Sequence, residues 1–276
     1  MKSVSPWEAF TFGIKTIVKN PFYFLGLSFV TFLFYLVSIF VSFIIVKEFF
    51  AKLFIGDLPL RSLTVIFFKN FIKQQPVIGV LLVTIFVVLI RFLFSIISAG
   101  RRKIELNFVD TGKSKFNLFC VPFSVILKYF FGRLLYLFII SLFALSVILL
   151  FVIRWRVSIS FAFLFGFFTF FFFVYLFFKL WLAKYFIIDK RMGVVSAFKN
   201  SFFVEGGAWQ AFKLYLIFLG FEFLLSLPMA VFFPKGGLLG IFGGLIFLIL
   251  VIVRSIFYLA SGVSYAHLYR TLTRNN

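Results

Sequence analysis

Acidic residues are scarce in this sequence, and their scarcity limits what the protein can be. Only eight Asp and Glu accompany 28 Lys and Arg, and charged residues make up 13% of the 276 positions. A soluble domain of average composition is about one-quarter charged, so too little polar surface is available here to enclose a water-soluble core. The chain is instead 63% hydrophobic. These proportions predict an integral membrane protein, with the lipid bilayer as its main solvent.

Cysteine and histidine are almost absent, which excludes several kinds of site. Cys120 alone cannot form an internal disulfide or a cysteine-only metal cage, and His267 alone cannot form a histidine cluster for zinc. The sequence also lacks a Gly-rich phosphate loop, a His-Glu-x-x-His motif and a Gly-x-Ser-x-Gly motif. We interpret Cys120 as a small apolar packing residue, with palmitoylation as the alternative, and His267 as an interfacial residue rather than a ligand. No cofactor, no metal and no enzymatic activity are predicted.

Long uncharged apolar runs occupy most of the chain. A membrane helix needs roughly 20 apolar residues, and six such spans are predicted, over residues 22–46, 77–99, 134–153, 157–178, 214–233 and 238–266. The first is too long for the core of a signal peptide and no small-x-small cleavage site follows it, so we interpret it as a retained span. Pro228 predicts a kink or a local break in the fifth span. The predicted fold is an all-α bundle of six transmembrane helices, a single polytopic domain over residues 1–276.

The basic residues are divided unequally between the two sides of these spans. Eighteen Lys and Arg lie before residue 22, in loops 101–133 and 179–213, and after residue 266, against eight on the opposite side. Because cytoplasmic loops carry an excess of Lys and Arg, both termini are predicted to lie in the cytoplasm and the protein in the cell's inner membrane. The net charge of +20 is thus explained by membrane topology, and nucleic acid is not predicted as a partner.

Three basic segments show helical spacing of apolar residues and are predicted to be amphipathic helices at the cytoplasmic interface. The first, residues 5–20, opens with a Ser-Pro-Trp-Glu capping box and ends at Asn-Pro. The second, 116–132, ends at Gly132, and the third, 194–207, ends at a Gly-Gly pair. Each helix precedes a pair of spans, which suggests three repeated units over residues 1–100, 101–185 and 186–276. The alternative is that these are ordinary amphipathic linkers. Either way, anionic lipid head groups are the predicted partners of these helices.

The third segment also carries a family resemblance. Residues 187–201, Ile-Ile-Asp-Lys-Arg-Met-Gly-Val-Val-Ser-Ala-Phe-Lys-Asn-Ser, followed by Glu-Gly-Gly at 205–207, resemble uncharacterised bacterial six-span proteins of the YciC-like type and the glycerophosphodiester phosphodiesterase membrane domain. The resemblance extends to residues 100–112 and 265–269. It departs at 154–156, Arg-Trp-Arg, where a Pro-Gly turn is usual. The resemblance implies a six-span architecture and says little about function. In that family the membrane domain has no established chemistry of its own, and the phosphodiesterase activity belongs to a separate domain that nothing here resembles.

Three charged residues fall inside the predicted spans. Arg91, Glu222 and Arg254 lie roughly 12–18 Å below the cytoplasmic face at a rise of about 1.5 Å per residue. Since an unpaired charge at that depth costs about 3 kcal/mol or more, we predict that Glu222 is ionised and paired with Arg254. Arg91 either completes a triad or extends toward the interface. The pair is a structural link between helices or, alternatively, part of a substrate or ion pathway or of an anion site.

A small-residue stripe opens the sixth span. Gly236, Gly240 and Gly244 recur at four-residue spacing, which permits close helix packing. We interpret the stripe as internal packing, with a dimer interface as the alternative, and leave the oligomeric state open. The predicted function is a non-enzymatic role in envelope organisation or as a partner of other membrane proteins. The alternative is a small transporter or channel.

Overall fold

The backbone of the described residues is almost wholly helical. A computed structural model describes residues 5–50, 76–113, 119–153, 159–231 and 238–274. The surroundings of the side chains are described for fewer residues, and those of 147–163 and 227–249 are among the ones left out. Nine helices and no strand occur among these residues: α1 Pro6–Lys19, α2 Pro21–Phe50, α3 Pro76–Thr111, α4 Phe123–Ile153, α5 Ile159–Leu180, α6 Ala183–Asp189, α7 Val194–Phe203, α8 Gly207–Val231 and α9 Leu238–Arg274. The prediction of an all-α chain is confirmed for the described residues.

Five of the described segments are long and apolar enough to cross a membrane. They are Pro21–Val41, Thr84–Thr111, Phe123–Leu142, Leu164–Asp189 and Gly207–Ser226. The predicted sixth span, residues 238–266, lies within α9, and the count of six stays a prediction. Several apolar helices of this length define a multi-pass membrane protein. α8 continues through Pro228, so the predicted local break does not occur, while the alternative of a kink stays untested.

The chain divides into two compact units. One comprises Met1–Ser28 with Ala99–Asn276, and the other comprises Phe29–Ser98. The predicted single domain and the three repeat units remain predictions.

The core of the larger unit lies near the helix ends. Buried side chains come from α1, the last turns of α3 and α9, the first turns of α4 and α8, and all of α6, with Tyr185, Tyr269 and Phe108 among the largest. Farther along the helices, large apolar side chains such as Phe168 and Phe223 are exposed. Lipid can cover those apolar rings, whereas the helix ends must bury theirs against each other.

Two of the three predicted interfacial helices are present as separate helices. α1 begins at Pro6 and ends before Asn20, although the Ser5 side chain makes no capping hydrogen bond, so the capping-box prediction is wrong. α7 is followed by Gly206, whose φ of 66° requires glycine. α7 buries Ala197 and Ser201, which are small enough to fit against neighbouring helices, and leaves larger apolar residues of its predicted face exposed.

The prediction that the second interfacial helix ends at Gly132 is wrong. α4 begins at Phe123 and continues through Gly132 into the span without interruption. Gly132 lies inside this helix, and its lack of a side chain permits close packing against α6. A Cβ there would lie 2.9 Å from Cδ1 of Ile187 on α6.

Small residues bring α1 and α9 into close contact. A Cβ on Gly13 would lie 2.1 Å from Oγ of Ser264 and 2.6 Å from the carbonyl oxygen of Ala260. Ala260 and Ser264 are four residues apart, the spacing that permits close helix approach. Gly236 lies outside the described residues, and the surroundings of Gly240 and Gly244 are not described, so the packing role of that stripe stays a prediction.

Candidate charged sites

Glu222 and Arg254 are brought together on neighbouring helices. Nε of Arg254 on α9 donates a hydrogen bond to Oε1 of Glu222 on α8. The side chains are 41% exposed at Glu222 and 53% exposed at Arg254. The pair therefore lies on the outer side of these two helices and not in the protein core.

Arg91 lies in the other compact unit, on α3. Its side chain is exposed, and its backbone carbonyl accepts a hydrogen bond of 2.7 Å from Oγ of Ser95. Its membership of a triad with Glu222 and Arg254 stays a prediction.

A second carboxylate, Glu105, is held by two arginines from its own helix. Nε of Arg101 donates to Oε1 of Glu105 at 2.8 Å, and Nη1 of Arg102 donates to Oε2 at 2.5 Å. These residues are three and four positions apart, so the helix places them on one face. Glu105 is 1% exposed, and we call these three residues the buried charge cluster.

The buried charge cluster joins α3 to α6 and α9. Nη2 of Arg101 donates to the carbonyl of Tyr258 at 3.0 Å, and the Arg101 guanidinium lies 4.3 Å from the centre of the Tyr258 ring. Arg102 donates to the Tyr185 hydroxyl at 3.3 Å, which in turn donates to the carbonyl of Gly262 at 3.4 Å. Every oxygen of Glu105 thus has a charged donor, as burial of a carboxylate requires.

Gly262 allows α9 to approach this carboxylate. A Cβ added at Gly262 would lie 2.0 Å from Oε1 of Glu105 and 2.5 Å from its Cδ. Any larger residue would have to displace a carboxylate that two arginines already hold.

A third group of charges lies where α3, α6 and α9 end. Arg270 on α9 donates to Asp189 and to Asp110, each at 2.6 Å. The Tyr269 hydroxyl donates to Asp189 at 2.9 Å. Burial raises the pKa of the Tyr269 phenol, and the neighbouring Asp189 carboxylate raises it further. The phenol therefore remains protonated and available as a donor.

Lys184 is held by aromatic rings. Its Nζ lies 3.4 Å from the centre of the Trp181 ring, 5.3 Å from that of Tyr185 and 5.8 Å from that of Tyr265. Among the described residues, no carboxylate forms an ion pair with it. Cation–π attraction therefore contributes to holding its ammonium group.

In these groups the charged side chains link helices to one another. The carboxylates of Glu105, Asp110 and Asp189 are each paired with arginine, which leaves none of them as a free general base. Within the described part of the chain, no group of three or more His, Cys, Asp and Glu could hold a metal ion. The sequence showed Arg101 and Glu105 four residues apart, a pattern that we did not single out.

Comparison with protein-family models, with curated proteins and with solved structures finds no match for this chain. The family resemblance of residues 187–201 therefore stays a prediction.

Proposed function

We propose that this chain is a non-enzymatic multi-pass protein of the cell's inner membrane that organises the membrane surface or holds another membrane protein. The observation that carries the proposal is the buried charge cluster. Its charges pair with one another and link α3 to α6 and α9. A cluster of this kind supports a rigid platform at the membrane surface rather than a moving or reacting site.

The helix ends around the buried charge cluster then lie on the cytoplasmic side of the membrane, in contact with anionic lipid. The 18-to-8 imbalance of basic residues supports that orientation. The exposed Val195 on α7 and the exposed Trp7 on α1 supply apolar contacts for the bilayer interface. Nearby Lys and Arg supply attraction to an anionic leaflet.

The orientation is tested by cysteine labelling in intact cells, in a Cys120→Ser background. Cysteines introduced at Gly56 and at Lys235 should react with an impermeant thiol reagent from outside, whereas one at Gly112 should react only after the cells are opened. Labelling of the Gly112 position from outside would overturn the proposed orientation.

A small transporter is the second candidate, and the half-exposed Glu222–Arg254 pair favours it. A transport site must be reached by water, whereas a structural link facing lipid need not be. Glu222→Cys and the control Phe223→Cys, on the exposed part of the same helix, separate the two. Rapid reaction of the Glu222 position alone with a small charged thiol reagent would favour transport. No reaction at either position supports the non-enzymatic structural role.

A further inference from the structure

We propose that the groove between α4, α5 and α8 binds one phospholipid with an anionic head group as a resident ligand. The groove has a volume of about 490 Å³ and is lined almost entirely by apolar side chains, including Ile140, Phe171, Phe177 and Phe212. It is partly open to its surroundings, so an acyl chain can enter it from the bilayer.

The length of the groove suits one leaflet. Its lining on α5 runs from Phe170 to Leu180, a distance of about 15 Å at the helical rise of 1.5 Å per residue. The hydrocarbon core of a bilayer is about 30 Å thick, so one leaflet is about 15 Å deep. Leu180 is the last residue of α5 and Phe212 lies near the start of α8. The groove therefore reaches from the helix ends into the adjacent leaflet.

A lysine outside the groove lining is connected to the groove through two aromatic rings and could meet the head group. Phe212 lines the groove and stacks on Trp209, with ring centres 5.6 Å apart. The Lys213 ammonium lies 5.1 Å from the centre of that Trp209 ring, and no carboxylate of the described residues pairs with it. A tryptophan at the membrane interface beside an unpaired lysine is suited to a phosphate-bearing head group.

Lys179 lies close to the same end but is already engaged. Its Nζ donates to the carbonyl of Phe202 at 2.8 Å and contacts that of Val204 at 3.5 Å. Lys213 is therefore the residue that should distinguish an anionic head group from a zwitterionic one. The preference for an anionic head group rests on the proposed contact between this protein and anionic lipid. Binding of the acyl chains requires only that the helices lie in a bilayer.

Native mass spectrometry of the full-length protein, with added phosphatidylglycerol or phosphatidylcholine, tests the proposal. The wild type should retain one phosphatidylglycerol more tightly than phosphatidylcholine. Ile140→Trp fills the groove and should abolish this retention, whereas Leu142→Trp, on the same helix outside the groove lining, should retain it. Equal retention by these two variants would overturn the groove as the binding site.

The contact between Lys213 and the lipid head group is tested by a separate pair of variants. Lys213→Gln should weaken phosphatidylglycerol binding about fivefold, as expected for one basic residue near a lipid surface, and leave phosphatidylcholine unchanged. The control Lys199→Gln removes an exposed lysine of α7 and should have no effect on the bound lipid. An unchanged lipid preference in Lys213→Gln would overturn the role of Lys213.

A second pair of variants covers the case in which Ile140→Trp does not fold, judged by circular dichroism. Phe171→Trp enlarges another groove residue, and Phe168→Trp is its exposed control on α5. Loss of lipid from the first alone supports the groove, and equal retention by both overturns it. Since the readout is bound lipid, this result does not depend on the cysteine labelling that tests the proposed orientation.

Discussion

Glu105 and Glu222 each contact arginine, but their surroundings differ. Glu105 is 1% exposed and is held by two arginines of its own helix. The Glu222 side chain is 41% exposed and meets one arginine, which comes from the next helix. The buried carboxylate needs both arginines because no water reaches its oxygens. The more exposed pair is satisfied by a single contact between one carboxylate and one guanidinium.

The difference shows how this membrane protein divides its charges between two tasks. At Glu105 the charges link three helices to one another through side chains and backbone carbonyls. At Glu222 the charges neutralise each other within a mostly apolar environment. The stability of the Glu105 cluster depends on several side chains and carbonyls being in place at once. The stability of the Glu222 pair depends mainly on Arg254. The following variants test that distinction.

The largest effect is expected at Glu105. Glu105→Gln should lower the free energy of unfolding by about 3–5 kcal/mol, because it leaves two arginines without their common carboxylate in a buried site. Thermal unfolding in detergent measures the loss. The control Glu205→Gln changes an exposed carboxyl group and should shift stability by less than about 0.5 kcal/mol. A loss at Glu105 no larger than that of the control would show that the cluster contributes little.

A smaller effect is expected at the exposed pair. Glu222→Leu or Arg254→Leu should each cost up to about 3 kcal/mol in a bilayer, because each leaves one charge unpaired. The double variant should recover most of that loss, since no charge remains. Stability of the three variants in lipid nanodiscs checks the prediction. Additive losses in the double variant would contradict a direct pairing.

Two glycines sharpen the comparison further. Gly262→Ala should destabilise by about 1–3 kcal/mol, because the added Cβ meets the Glu105 carboxylate. Gly220→Ala, two residues before Glu222, adds a Cβ with no heavy atom within 4 Å and should be neutral or stabilising by up to about 1 kcal/mol. The same thermal measurement compares them, and equal effects would mean that the packing around Glu105 can relax.

The smallest effect concerns pH and involves neither carboxylate. His267 stacks on Phe12 with ring centres 4.2 Å apart, and burial lowers the pKa of its imidazole. The unfolded chain therefore binds a proton more readily. Stability should be complete above the ordinary pKa of about 6.5 and should decrease as the pH falls through the folded pKa. Thermal unfolding between pH 7.5 and 5 measures this decrease, and His267→Phe should reduce it.

Hydropathy was sufficient to predict a chain of long apolar helices, and helical spacing was sufficient to predict α1 and α7, whereas the count of six spans stays a prediction. These predictions rest on local signals, namely apolar runs, helical spacing and the Asn-Pro and Gly-Gly interruptions. Gly132 misled the prediction because glycine interrupts a helix in one context and permits close packing in another. Only the position of Ile187, far along the chain, distinguishes these roles.

The candidate sites divide in the same way. Glu222 and Arg254 were conspicuous because a charge within an apolar run is costly wherever it lies. The buried charge cluster was not conspicuous, because Arg101 and Glu105 lie in a basic segment that is typical of a solvated loop. Their burial depends on Tyr185 and on the approach of α9 at Gly262, contacts between positions that are distant in sequence.

The close fit of Gly13 against Ala260 and Ser264 has a consequence for biosynthesis. At about 5–20 residues per second, the ribosome needs roughly 10–50 s to proceed from Gly13 to Ser264. During that interval α1 has left the ribosome before its docking surface exists. Its apolar face, centred on Phe10 and Ile17, must meanwhile rest on the bilayer or on a chaperone. The contact between α1 and α9 is thus among the later ones to become available as the protein is made.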